Sequence, residues 1–362
     1  MDIWKNTKEI CKSRIIRSEV KHCLFFEIQT MEMIKTSQSH QTHIDCAQGL
    51  MILHMMLYHL CADTINNTPL HYHLLHPLSF FMAWFFFKSG MFYKEKKLKD
   101  TFLDGIRKCI IPYIIFSIIG FLVYYFTEYP TTSISLEWDF FYVFGAFRGN
   151  MPLWFLLSLF LVQLLYSLVQ KCRIKPIYIA IISLGLLILN KEIGFRPYIM
   201  KNVPLGLLFY ALGQILKDIQ YKRIFIIISL FVYFGLYFIH TDIDFLWGKL
   251  VPEYVAIPWA LSGCILLNAL FKFIPLICVS PLKFLGTHSM EFYCTHIIII
   301  YIIEVIFIKQ LSLHTSIGLP YILFEFISFA IYVLLLSSII RFYKPKHFQW
   351  IFGKKATPPT TL

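Results

Sequence analysis

PLWFLLSLFLVQLLYSLVQ, residues 152–170, is the stretch that decides the fold. It carries no charged side chain, and its apolar residues follow one another rather than alternate. As an α-helix rising 1.5 Å per residue it reaches about 28 Å, close to the roughly 30 Å of a bilayer's hydrocarbon core. A membrane β-barrel would alternate apolar and polar positions with period two, and this run does not. Comparable runs recur at about 44–61, 73–93, 110–127, 176–190, 203–216, 224–239, 255–271, 288–308 and 321–340.

The whole chain has the same character. Hydrophobic residues make up 57%, aromatic residues 18% and charged residues 15% of 362 positions, with mean hydropathy +0.64. A water-soluble domain of that composition would expose very large apolar patches. The sequence therefore predicts an all-α, polytopic membrane bundle of about ten transmembrane helices. Three parts follow: a basic leader over 1–43, a membrane domain over 44–340 and a basic tail over 341–362, of which KKATPPTTL reads as disordered. The leader lacks an apolar segment of signal-peptide length. Met31 and Met33 stand just ahead of the first span, so translation is expected to start there.

The net charge of +12 has a topological reading. With the N-terminus in the cytoplasm, the inside segments hold 26 Lys and Arg and the outside loops hold six; the remaining basic residue, Lys88, lies within a span. Positive-inside insertion produces that asymmetry, placing both termini in the cytoplasm. Nucleic acid is not needed to explain the charge. Nine cysteines contain no CxxC pair and suggest neither a zinc site nor a disulfide frame. HYHLLH, residues 71–76, is dense in histidine but lacks carboxylate or thiolate companions, so no metal is expected; these histidines read as interfacial. The segment 128–151, with Trp138, Asp139 and Arg148-Gly149-Asn150, reads as an outside loop long enough to cover a site.

Ionisable side chains inside hydrocarbon are costly unless paired or hydrated, so each is a functional candidate. The first span, HIDCAQGLMILHMMLYHL over 43–60, is the richest. Gln48 and His59 share one helical face about 16 Å apart along the axis, Asp45 falls near that face, and His54 points away. In the ninth span Ser289, Tyr293 and His296 form an i, i+4, i+7 stripe expected to face the interior. Lys88, five residues from the inner end of the second span, either snorkels to the interface or serves a site.

In order, the chain shows IDCAQG at 44–49 leading to His59, FFMAWFFFKSG at 80–90, IRKCIIPY at 106–113, LWFLLSLFLVQLLY at 153–166 and LKFLGTHSMEFYCTH at 282–296. Together these resemble the membrane-bound acyltransferase family 3, over about residues 43–340. The resemblance implies a multi-helix enzyme that places acyl groups, most often acetyl, on extracytoplasmic glycans. The donor implied is acyl-CoA, the acceptor a cell-surface glycan or lipid-linked saccharide, and the location the cytoplasmic membrane.

The resemblance also assigns residues. It makes His59 the base or proton relay and puts Asp45 and Gln48 at the family's Asp and basic positions. It matches Ser89 and Gly90, then Arg107 and Lys108 in a basic turn suited to CoA phosphates, and finally Ser289, Tyr293 and His296, which would orient the base or donate to the oxyanion. Two departures stand out: Gln48 replaces a cation, and Ala83 replaces the usual Pro. Lys88 occupies a normally apolar position, so the missing cation is expected to have moved to the adjacent helix. Two other readings remain open at this point, a glycan-lipid transporter or flippase and a catalytically impaired accessory member.

Overall fold

The computed structural model describes residues 42–60, 75–128, 145–193, 199–239, 242–244, 249–274, 276–303, 319–343 and 346–353. Within them the regular secondary structure is helical apart from one short antiparallel ladder. Helix α1 covers 42–60. It is followed by α2 (Phe81–Met91), α3 (Leu98–Gly105), α4 (Ile111–Glu128), α5 (Trp154–Lys171), α6 (Pro176–Ile193), α7 (Ile199–Leu216) and α8 (Arg223–Tyr237). Strands β1 (Asp242–Asp244) and β2 (Lys249–Val251) pair Ile243 with Leu250. Then come α9 (Glu253–Phe273), α10 (Leu276–Thr287), α11 (Ser289–Ile303), α12 (Leu319–Tyr343) and a 3₁₀ turn, Lys346–Phe352.

Among the described residues three stretches, Leu98–Phe126, Met151–Lys171 and Tyr254–Phe273, are long and apolar enough to cross a bilayer by themselves, and several shorter apolar helices accompany them. Large side chains such as Phe126, Ile181, Phe231 and Leu334 are exposed on the outside of the bundle. That arrangement is stable only with hydrocarbon as the outer solvent. The chain is a multi-pass membrane protein.

The core lies around α2, whose residues Phe81 to Phe87 are all buried. It packs on α7 at backbone contact: a Cβ added at Gly90 would overlap the Tyr210 carbonyl, and one at Gly213 would overlap that of Phe87. Small residues permit such close crossings where lipid provides no hydrophobic drive for association. A buried polar string adds a second tie. Trp84 Nε1 donates to Asn268 Oδ1 of α9 at 2.9 Å, and Asn268 Nδ2 donates to Gln220 Oε1 at 3.0 Å.

Several expectations change. The second span does not run unbroken from 73; a 3₁₀ turn at His76–Leu78, with Pro77 in it, precedes α2. Proline lacks an N–H and limits helix entry to the first turn, which fits that start. His76 is buried and stacked on Trp259 at 5.0 Å. His71 and His73 lie outside the described residues, as do Trp138 and Asp139. Between the expected spans 255–271 and 288–308 lies a further helix, α10. Of the segment expected as an outside loop, residues 145–150 are described, and its end is packed into the bundle. Asn150 is fully buried and its Nδ2 donates to the Cys294 carbonyl at 3.0 Å, while Gly149, at φ 85°, lies against Gly120.

Candidate functional site

Helix α1 is held against α10 by two glycines. A Cβ at Gly49 would overlap the Leu282 carbonyl, and one at Gly286 would overlap that of Asp45. The helix path then breaks at His288, so α11 begins with Ser289 beside Gln48. Gln48 Nε2 donates to Ser289 Oγ, and Lys88 Nζ from α2 donates to Gln48 Oε1. Lys88 thus turns toward α1. Its ammonium lies on the amide at the position where a helix 1 cation was expected. Ser89 turns its hydroxyl back to the Phe85 carbonyl at 2.8 Å.

Next to this relay is a cavity of about 630 Å³. Asp45, Lys88, Ser89 and Lys108 line it together with Lys94, Lys96, Gln163 and Tyr210. It lies at the basic end of the bundle, and its lysines make it suited to a polyanion. A second cavity, of about 310 Å³, shares Ser89, Lys108 and Gln163 with the first. It reaches Gln48, Ser289 and Tyr293 and is otherwise mostly apolar.

Arg107 and Lys108 were expected in a turn; they lie instead in a π-helical segment, Ile106–Ile110, which joins α3 to α4. One extra residue per turn rotates neighbouring side chains apart, a feature frequent at functional sites. Lys108 lines both cavities. Arg107 lines neither and donates to Asp104 Oδ1 at 2.9 Å, while Lys96 Nζ holds the other oxygen at 2.6 Å. The two basic residues are thus separated in role.

His59 and His296 meet. Their ring centroids are 5.3 Å apart and the planes are inclined by 40°. His296 is fully buried, and its Nδ1 contacts the Tyr293 carbonyl at 2.7 Å. That bond places the proton on Nδ1 and leaves Nε2 as a lone-pair acceptor, with no hydrogen-bond partner among the described residues. His59 is half-buried and packs its edge against Tyr58. Neither cavity is lined by His59; the link is Tyr293, which lines the smaller cavity and has its ring centroid 6.0 Å from that of His296. Tyr293 is itself fixed by its hydroxyl, which donates to the Pro152 carbonyl. His54 faces away, edge-on to Phe81 at 5.6 Å.

A family model described as an acyltransferase domain matches residues 42–342. The chain belongs to acyltransferase family 3. No curated protein and no solved structure matches it. Family membership carries acyl transfer and an acyl donor, and leaves donor, acceptor and acyl length unspecified.

Within this family domain, sequence reading missed Lys94, Lys96, Gln163, Ser167 and Tyr210, which line the larger cavity. Gln163 and Ser167 left a signal, as they are four residues apart in an apolar helix and so share a face. Lys94 and Lys96 gave none, because a basic run after a span is already accounted for by insertion. Asn150 was visible only as part of a loop string.

Proposed function

We propose that this protein is an enzyme that transfers an acyl group from cytoplasmic acyl-CoA to a hydroxyl of an extracytoplasmic glycan or glycolipid. The observation that carries this reading is the alignment of three features along α1. A lysine-lined cavity at the basic end leads to the Lys88–Gln48–Ser289 relay, and the His59–His296 pair follows toward the other end. The charge asymmetry supports a cytoplasmic position for the basic end, with ten spans and both termini on that side. The membrane would then be the cytoplasmic one.

In this scheme Lys88, Lys94, Lys96 and Lys108 hold the CoA phosphates, while Asp45 and Ser89 line the entrance. Lys88 supplies the cation that Gln48 lacks, and Gln48 and Ser289 offer neutral hydrogen bonds to the donor's pantetheine arm, which carries the thioester on toward His59. The acceptor oxygen attacks the thioester carbonyl, the C–S bond breaks, and CoA leaves as thiolate. The proton lost by the hydroxyl goes to an imidazole nitrogen of His59, with His296 beside it to orient the ring. Tyr293 keeps His296 and the smaller cavity in register. Arg107 acts through Asp104 on the shape of the entrance rather than on the donor.

The test is transfer of label from radiolabelled acyl-CoA to isolated cell-envelope glycan by purified protein, with His59→Ala as the comparison. Transfer that depends on His59 is expected. Transfer by wild type and His59→Ala at equal rates removes the imidazole from the reaction.

A further inference from the structure

Two apolar stripes on neighbouring helices enclose a groove that the acyl-transfer site does not use. Ile226, Leu230 and Phe234 recur every four residues on α8, and Leu266, Leu270 and Phe273 follow Gly263 on α9, so each set shares one helical face. Between them lies a cavity of about 410 Å³. At its Gly263 end the Phe80 ring comes so close to α9 that a Cβ on the glycine would overlap it. Phe80 and Tyr233 both pack on Trp259 there, with ring centroids 5.6 and 5.4 Å away. From Gly263 to Phe273 the groove follows α9 for about 15 Å, roughly half the thickness of the hydrocarbon core. Leu230, Phe234, Leu270 and Phe273 are exposed on the outside of the bundle, so the groove opens sideways to lipid. Its lining is apolar except for Tyr233, whose hydroxyl already donates to the Pro77 carbonyl at 2.7 Å. An alkyl chain finds contacts along it, and a sugar finds none to hydrogen-bond.

The Phe273 end is basic. Lys272 directly precedes Phe273, and Lys222 and Arg223 lie about one turn before Ile226. All three are exposed, and among the described residues none pairs with a carboxylate, that of nearby Asp218 included. Lys272 Nζ lies 4.5 Å over the Tyr221 ring, whose hydroxyl is 3.0 Å from His43 Nε2 of α1, so this cation is held beside the start of α8. Lys222 caps α8 without a side-chain hydrogen bond and no acid occupies the first turn, which leaves amide donors at the same end. We propose that the groove holds one tail of an anionic glycerophospholipid from the leaflet at the basic end of the bundle, with its phosphate against Lys222, Arg223 and Lys272. The proposal is independent of the donor reading above. Moving a tail from bilayer to groove gains little, because lipid is as apolar as the groove wall, so the headgroup carries the selectivity and the groove fixes its place. A second copy of the chain docked by this same face would bring its own three cations against these, a like-charge contact that disfavours it.

Intact-mass spectrometry tests this on the full-length purified protein, equilibrated in neutral detergent with equal amounts of phosphatidylglycerol and phosphatidylcholine that carry the same acyl chains. Wild type is expected to retain phosphatidylglycerol in preference. Lys272→Gln and Arg223→Gln should each lower that preference roughly fivefold, the effect of one cation near an anionic headgroup, and the double variant by the product. Leu230→Trp fills the groove from its lipid-facing side and should reduce retention of both lipids, whereas Leu334→Trp, on the exposed face of α12, should not. Unchanged thermal unfolding in detergent shows that each variant is folded. Equal retention of the two lipids by wild type would overturn the proposal, as would a preference that survives the double variant or a Leu230→Trp protein that retains as much lipid as Leu334→Trp. Glycerol 3-phosphate that competes as well as the whole lipid would reduce the site to an anion pocket with no tail. A mass of two copies without lipid would put a second chain on this face instead.

Discussion

Replacing Lys88 by Met removes the ammonium that donates to Gln48 and keeps the length and apolarity of the stem. A hydrogen bond to a charged group contributes about 1.5–3 kcal/mol, which corresponds to roughly 10- to 150-fold in kcat/KM if the ammonium stabilises the donor or its developing charge. The swap Lys88→Met with Gln48→Arg returns a cation to α1 at the same spot, because the Gln48 amide already touches both Lys88 and Ser289. Most of the lost activity is expected to return. Gln48→Arg alone sets two cations side by side, and at 4 Å their repulsion is about 1 kcal/mol in water and about 4 kcal/mol at an effective dielectric of 20. The single change should therefore be worse than the swap, a non-additivity that a double-mutant cycle isolates. Initial rates of acyl transfer against acyl-CoA concentration, normalised to folded protein, give the four values. Wild-type kcat/KM in Lys88→Met, or a swap no better than that variant, would refute the idea that the cation has moved between helices.

Four further outcomes are expected. His59→Ala lowers kcat by about 10²–10⁴ while CoA affinity, measured by equilibrium binding, is unchanged, as expected for loss of a general base remote from the donor's phosphates. Raising ionic strength from about 0.1 M to about 1 M shortens the Debye length from about 10 Å to about 3 Å and weakens CoA binding, because Lys94, Lys96 and Lys108 are exposed; a salt-independent Kd would remove them from donor binding. Asn268→Leu strands the Trp84 indole N–H and the Gln220 amide oxygen, each at about 1–3 kcal/mol, and lowers the midpoint of thermal unfolding in detergent. Gly213→Leu forces α7 away from the Phe87 backbone and reduces the yield of monodisperse protein more than any change at the lipid-facing Leu334.

The site was partly legible because helical spacing is a local property. Ser289, Tyr293 and His296 were placed on one stripe from their separation, and each faces a neighbouring helix or cavity as that spacing requires. Gln48 and His59 share a face for the same reason. His54, directed elsewhere by the same angle count, does meet Phe81 instead. The positions of Arg107 and Lys108 were not legible, since a π segment adds a residue to one turn and shifts every later side chain, and its cause lies in packing. Arg107 and Lys108 differ in role by that rotation. The docked tail was hidden for another reason: the Lys346–Phe352 stretch is short, basic at its start and without period, so only its partner Phe116 gives it a place.

By itself the sequence determined the solvent, the helical class and the order of the motifs. Uninterrupted apolar runs allow no other way to satisfy backbone polar groups in hydrocarbon. Which side chains meet across the bundle was decided by tertiary structure, because helices from distant parts of the chain approach at angles set by glycines and packed aromatics. That Lys88 touches Gln48, that His59 faces His296 and that Phe352 lines one cavity with Phe85 are consequences of those crossings.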